Sequence, residues 1–497
     1  MPRLFTSPRA RFVFLSVSTT ALFTAFYVAG PSLDKIFARI NEEVEQHSRA
    51  YETLADASKK IGHRLTGSPN GAKAEEYAFN LLKSYGYTDV RYEPFEVEAW
   101  SRDTVTLQVV PNHSDNYRDV PVVSLAHSPV SAHIRGEIID VGNGLEGDFA
   151  AVKDKIRGKV VLVNIGLSNP TKGARNLHRS EKTALAIQYG ASGVMMVNLV
   201  AGNVLLTGTA SVTGKLITIP SVCISLESGQ AIRSWIQEEV SPLQAVIDMT
   251  NKSRKIRARN VVATLRGIDL PNEKIVVGGH LDSWDLATGA IDNGIGSFAV
   301  MDMARTFKAL KLKPRRSIEF VLFMGEEQGL LGSKAMVQQL KKAKQLDQVR
   351  YMMNLDMVND PNGLNAFGRA EAVPFLNTIG AAMKQAVPAF ANEPHNQAGL
   401  HSDHQPFMLE GVPVIGMNGH LDRSVLDCYH ADCDKINLVN ADQQKNTVRY
   451  GTMLLYALAD ADDIPTRRQT DLQTRDYLTA QGLRTALQIA SEWRWKE

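Results

Sequence analysis

Lys274-Ile275-Val276-Val277-Gly278-Gly279-His280-Leu281-Asp282-Ser283, followed by Asp292-Asn293-Gly294-Ile295-Gly296, sets the architecture of this chain. The apolar run is short for a helix, ends in two glycines and delivers a histidine and a carboxylate together. It reads as a buried strand whose carboxyl end carries chemistry, with residues 296–310 returning as a helix over the sheet. Similar runs recur at Asn260-Val261-Val262-Ala263-Thr264-Leu265, Ser317-Ile318-Glu319-Phe320-Val321-Leu322-Phe323, Tyr351-Met352-Met353-Asn354-Leu355 and Val412-Pro413-Val414-Ile415-Gly416. Helical stretches at 331–344 and 372–386 separate several of them. The alternation predicts an α/β fold, a doubly wound mixed sheet covered on both faces.

Upstream, residues 33–63 are charged and helical in pattern. Ser68-Pro69 then opens a helix to residue 84, with serine as cap and proline in the first turn. Residues 89–97 and 104–111 alternate as two strands. From residue 122 a self-contained block begins. Gly136-Glu137-Ile138-Ile139-Asp140-Val141, Lys159-Val160-Val161-Leu162-Val163 and Gly193-Val194-Met195-Met196-Val197 read as strands, with a helix near 181–189. It holds no His and carboxylate cluster of metal-binding spacing, and reads as an inserted, β-rich accessory domain. The division is then 1–32 leader, 33–120 first part of the main domain, 121–257 insert, 258–465 second part, and 466–497 a charged helical extension without evident chemistry.

At 497 residues the chain is too long for one ordinary core, and a formal net charge of +2 with no long run of either sign gives no reason to expect a nucleic-acid partner. Arg3, Arg9 and Arg11 precede a largely apolar run from Phe12 to Gly30. That pattern is an export signal or an uncleaved N-terminal anchor, so the protein is expected outside the cytoplasm, at a membrane only if the segment stays uncleaved. Three cysteines cannot supply the main stability of an exported protein. Cys428 and Cys433 flank His430 and are either a bridge or two free thiols; Cys223 reads as a small buried residue.

The chemistry lies in five residues at or near the ends of the apolar runs: His280, Asp292, Glu327, Asp356 and His430. They offer one histidine and one carboxylate to each of two metals, with Asp292 as the bridge. Two zinc ions about 3.5 to 4 Å apart would activate water and polarise a carbonyl. His280 and Asp282 are two apart on a strand and face one way, so Asp282 can receive the second N–H of a ligating His280. Glu326 and Glu327 are adjacent carboxylates that repel unless cations relieve them. Glu327 is then a ligand and Glu326 the general base. Taken singly, each has a plainer reading: a surface His-Asp pair, an Asp-Asn-Gly turn, acidic residues at a helix start. His401 and His404 are runner-up ligands by spacing, ranked behind the metals or facing substrate. His63, His178, His395 and His420 receive no role.

Together, His-Leu-Asp-Ser at 280–283, Asp-Asn-Gly at 292–294, Gly-Glu-Glu at 325–327, Asp356, Ser-Asp-His-Gln-Pro-Phe at 402–407 and Tyr-His at 429–430 resemble, in order, the co-catalytic two-zinc exopeptidases of family M28. Within them the chain is similar to the carboxypeptidase Q group. Arg64-Leu65-Thr66-Gly67-Ser68 resembles the segment before an early helix of that domain. The resemblance implies that the insert is a protease-associated domain and that the five residues hold two zinc ions. It also implies that Glu326 is the base and Asp282 the orienting acid, that the substrate is a small peptide and that the protein is a homodimer. Where relatives end the last motif in Tyr-His-Thr, this chain has Ala431, so no hydroxyl is offered there.

Three functions compete: a dipeptidase, an aminopeptidase trimming longer peptides, and a receptor that kept the fold and lost catalysis. The complete ligand set and base argue against the last, and also against a one-metal cyclotransferase. Residues 171–179 of the insert, with Lys172, Arg175 and Arg179, are the expected contact for a substrate's C-terminal carboxylate.

Overall fold

In the computed structural model, which describes residues 32–169, 173–238 and 241–496, thirteen strands form one continuous sheet. They are β1 (Val90–Pro111), β2 (Arg118–Asp119), β3 (Val122–Ser124), β4 (Ser131–Asp140), β5 (Val160–Asn164), β6 (Gly193–Val197), β7 (Ser221–Ile224), β8 (Leu243–Leu265), β9 (Leu270–His280), β10 (Arg316–Phe323), β11 (Val349–Asn354), β12 (Gly363–Asn365) and β13 (Val414–Asn418). Their order is β12-β13-β11-β9-β10-β8-β4-β5-β6-β7-β3, with β1 laid along β8 and β2 along β1. β13, β11, β9 and β10 are parallel, so their carboxyl ends open on one edge. Of the leader expected at 1–32, residues 1–31 lie outside the described residues, as do Thr171 and Lys172. Among those described, no helix is long and apolar enough to cross a membrane.

Alternate residues of the central strands enter two different cores, as a sheet covered on both faces requires. Ile275, Val277, Phe320 and Leu322 pack with Phe298, Met303 and Leu454, from helices Ile295–Ala309 and Ala441–Asp460, and with Phe37 and Leu54 from the N-terminal helices. Val276, Val321 and Phe323 face the other way, onto Met336, Leu340, Phe407 and three C-terminal leucines. The doubly wound mixed sheet read from the sequence is therefore present.

The region expected as one helical stretch over 33–63 is two helices, Ser32–His47 and Ala50–Lys60. The break is held by the buried Asp302, whose Oδ2 accepts from Ser48 Oγ at 2.7 Å and from the Arg49 N–H at 3.1 Å. Pro69–Ser84 is the capped helix expected, with the Gly71 N–H donating to Ser68 Oγ at 3.0 Å. The two strands expected at 89–97 and 104–111 are one, β1, paired with β8 from Val90 to Pro111 with a bulge at Arg102. The segment after residue 466 is no loose extension: Leu478, Leu483 and Leu487 are fully buried, each worth about 1.5–3 kcal/mol of transfer free energy.

Candidate metal centre

His280 is the last residue of β9, Glu326 and Glu327 lie just past the end of β10, and Asp356 lies two residues past β11. Asp292 sits in the turn Ala290–Gly294 that leads from β9 into its helix, joined to Asn293 by a cis peptide bond. His430 arrives from a distant loop closed by a Cys428–Cys433 disulfide, so the bridge left open by the sequence is formed; Cys223 is buried and free.

These residues form two triads that share Asp292, His280-Asp292-Asp356 and Asp292-Glu327-His430, with the candidate ligand atoms of each within 4.8 Å of one another. His280 Nε2 lies 3.2 Å from Asp292 Oδ1 and 3.4 Å from Asp356 Oδ1. His430 Nε2 lies 2.8 Å from Asp292 Oδ2 and 3.0 Å from Glu327 Oε2. Among the described residues, no Lys or Arg forms an ion pair with Asp292, Glu326, Glu327 or Asp356. Glu327 Oε1 and Asp282 Oδ2 are buried without a hydrogen-bond partner. A cluster this dense in carboxylates, largely buried and with none of the four paired to a Lys or Arg among the described residues, calls for cations.

Burial raises the Glu326 carboxyl well above its usual range; Asp356, Glu327 and Asp403 push the same way and His280 opposes them. Burial would also raise Asp292, but hydrogen bonds from His280 and His430 hold it below the usual range. The two sets of neighbours thus push the shared carboxylate and the adjacent Glu326 carboxyl in opposite directions.

The supporting contacts are mostly ones no spacing rule finds. His280 Nδ1 is 3.1 Å from the main-chain oxygen of Asp282 and 3.6 Å from its carboxylate. Asp282 therefore orients His280 through its carbonyl, while its Oδ1 accepts the Glu326 N–H at 3.3 Å. Arg64, wholly buried, donates to the carbonyls of Leu281, Thr288 and Gly289 and fixes the loop between His280 and Asp292. Asp434 accepts the N–H groups of Ile291 and Asp292 at 2.7 and 3.1 Å. Ser402 donates to Asp356 Oδ2 at 2.5 Å.

The insert also reaches the cluster. The Thr207 N–H donates to the His430 carbonyl at 3.0 Å, and His430 Nδ1 lies 3.2 Å from Thr207 O. Thr207 Oγ1 accepts from Arg102 Nη2 at 2.7 Å, and Arg102 grips Asp285 with two further bonds of 2.7 and 2.8 Å. A chain of contacts thus links the loop after His280 to the ring of His430 through the insert. Arg179 lines the site, whereas Arg175 is directed away and donates to the Gly482 carbonyl.

In front of both triads lies a cavity of about 380 Å³. Its walls come from the strand ends, from residues 178–181 and 209–212 of the insert, and from Ala486, Leu487, Ala490 and Glu492 near the C terminus. The C-terminal segment thus takes part in the site, contrary to the sequence reading. His401 and His404 line the cavity outside both triads, as their ranking behind the ligands expects. His178, given no role from sequence, lines it too, its ring 4.9 Å from that of His401.

A doubly wound sheet that gathers histidines and carboxylates at its strand ends, facing a walled cavity, is the framework of a metallopeptidase. Residues 260–454 match the model of Peptidase family M28, and residues 120–232 match the PA domain. The second half of the chain thus carries a Peptidase family M28 domain, and the PA domain falls on the insert ahead of it. It is 25% identical over 466 residues to carboxypeptidase Q of Bos taurus, covering 88% of this chain and 95% of that one. It is 27% identical over 374 residues to a probable leucine aminopeptidase 2 of Trichophyton verrucosum, covering 74% and 70%. Among solved structures, a peptidase M28 precursor from Shewanella amazonensis shares the fold with a TM-score of 0.73 at 21% identity, over 88% of this chain and 99% of that one. A zinc aminopeptidase from Bacillus subtilis does so with a TM-score of 0.62 at 22% identity, over 85% and 98%.

Proposed function

We propose that the protein is a two-zinc dipeptidase of carboxypeptidase Q type, acting on small peptides with free termini. The observation that carries this reading is the pair of triads joined by Asp292. One imidazole, one carboxylate and a shared carboxylate per site form a nitrogen and oxygen set that suits zinc, and the unpartnered Glu327 Oε1 fits a ligating role. When bound, the ions supply Lewis acidity to the attacking water and to the scissile carbonyl. His280 and His430 each direct Nε2 at the cluster because Nδ1 is turned to a carbonyl, of Asp282 and Thr207 respectively. Glu326 stands on the cavity wall, Oε2 4.0 Å from His280 Nε2, outside both triads. It takes the proton from water and returns it to the leaving amine.

Support for small substrates comes from the size of the cavity, about 380 Å³, to whose walls the insert and the C-terminal segment contribute beside the strand ends. The similarity to leucine aminopeptidase 2 favours a second reading, trimming of longer peptides from the amino end. The deciding experiment offers the zinc-loaded protein unblocked dipeptides, N-blocked dipeptides and peptides of six or more residues. Cleavage confined to free dipeptides and lost on chelation is expected; stepwise trimming of the long peptides would replace the dipeptidase by the aminopeptidase. The basic and apolar leader and the Cys428–Cys433 bridge support export. A homodimer belongs to the same proposal.

The contact between insert and metal centre gives a second test. Replacing Arg102 by glutamine frees Thr207, and with it His430, so zinc affinity at the Asp292-Glu327-His430 site is expected to fall about tenfold to a hundredfold. The His280 site should keep its affinity. Zinc titration by calorimetry reads the two separately, and equal weakening of both, or of neither, would remove Thr207 from this role.

A further inference from the structure

Two carboxylates outside the metal cluster line the cavity, Glu181 of the insert's helix Arg179–Gln188 and Glu492 near the C terminus. Both oxygens of Glu492 are engaged: Lys334 Nζ lies 2.6 Å from Oε1, and Gln405 Nε2 donates to Oε2 at 2.5 Å. Glu181 has one oxygen left over. It is only 1% exposed, its Oε2 accepts the His178 N–H at 2.7 Å as part of the helix cap, and its Oε1 has no hydrogen-bond partner. Among the described residues no Lys or Arg forms an ion pair with it. Arg179 is turned to His430, Nη2 2.9 Å from Nδ1; Arg175 donates to the Gly482 carbonyl, and Lys182 to those of Asn164 and Ile165. Over Oε1 lies His401, with Nε2 at 3.5 Å. Burial, with Arg179 and Arg175, lowers that ring to about 4, so it brings no charge. Burial also pushes the Glu181 carboxyl up to about 7, against the His178 N–H and the charge of Arg175. A carboxylate held there without a cation is costly, and a cation entering the cavity relieves it.

We infer that Glu181 Oε1 binds the side-chain ammonium of a lysine in the substrate, so that the insert selects basic dipeptides. The size of that substrate rests on the dipeptidase reading above. The α-ammonium is tied one residue from the scissile carbonyl and stays beside the metal cluster. Glu181 stands apart from it: the charges that weigh most on this carboxyl are Arg175, Glu492 and Lys182, none of them in either triad. A lysine carries its charge that far on a flexible methylene stem. With Oε2 tied to the helix cap, a two-point pair with a guanidinium is denied, which favours the ammonium. The side chain of His401 is 42% exposed, so its ring has room to turn aside and admit the charge.

The test uses the full zinc-loaded chain and two pairs of dipeptides, leucyl-lysine against leucyl-norleucine and lysyl-leucine against norleucyl-leucine. Norleucine keeps the stem and lacks the ammonium. In one pair the wild type is expected to favour lysine by about tenfold or more in kcat/KM, and that pair tells on which side of the bond the side chain sits. Glu181→Gln retains the cap, because its amide oxygen still accepts from His178. It should lose about tenfold to a hundredfold on the lysine member, leave the norleucine member nearly unchanged and keep its zinc content. A wild type that treats lysine and norleucine alike in both pairs overturns the inference. So does a fall of both members together in Glu181→Gln, which would make Glu181 a support of the wall or an anchor for the α-ammonium that every dipeptide carries. Hexapeptides with the same exchange decide the reading beneath it. A lysine preference there, abolished by Glu181→Gln, with no dipeptide cleaved, would retain Glu181 and sink the dipeptidase. A protein that hydrolyses none of these peptides sinks both.

Discussion

Replacing Asp292 by alanine is expected to empty both metal sites at once. Its two oxygens point opposite ways, Oδ1 to His280 Nε2 at 3.2 Å and Oδ2 to His430 Nε2 at 2.8 Å, and no other residue belongs to both triads. Each site would retain one imidazole and one carboxylate. Zinc per chain after dialysis should drop from two towards zero. Hydrolysis should fall by about a thousandfold or more, since Lewis acidity is worth several kcal/mol and each 1.36 kcal/mol is tenfold. The turn itself should survive, because Asp434 holds the main-chain N–H groups of residues 291 and 292, and Asn293 Nδ2 donates to the Leu355 carbonyl at 2.8 Å. A variant that still retains two zinc ions would show that Asp292 bridges nothing.

Glu326→Gln should separate chemistry from metal binding. The change keeps the volume of the side chain and removes its ability to accept and return a proton. Glu326 belongs to neither triad, and its main-chain N–H remains bound to Asp282 Oδ1. Zinc content is therefore expected to stay at the wild-type value while kcat falls by about 10²–10⁴. Loss of metal in this variant would make Glu326 a ligand, and a kcat within tenfold of wild type would assign the proton transfer elsewhere. The two substitutions also discriminate between each other: one protein lacks metal and turnover, the other turnover only.

The five ligand candidates were legible because parallel strands buried on both faces leave apolar runs, and their polar residues stand out at the ends. His280 and Asp356 show this directly, as each follows an unbroken row of buried residues. What was hidden depends on main-chain atoms or on distant chain segments. Asp282 acts on His280 through its carbonyl, which no side-chain pattern announces, and Thr207 holds His430 in the same way. Arg64 looks in sequence like one basic residue before a turn, and only the fold reveals three carbonyls waiting for it. The break read between residues 97 and 104 has another cause. There the burial of β1 does not alternate, since Ala99 and Trp100 are buried side by side and Asp103 and Thr104 exposed side by side, so the pattern by which strands are recognised is lost. The charges of the C-terminal segment likewise masked three buried leucines.

β8 pairs with β10 at one end and with β4 at the other, without interruption. The insert is thus no cartridge that can be lifted out and exchanged for that of a relative. Any graft would cut a shared ladder and move Thr207 and Arg179 out of step with the strand ends that face them. Changes in what this protein selects are consequently open to point substitution around the cavity, and closed to wholesale replacement of the module.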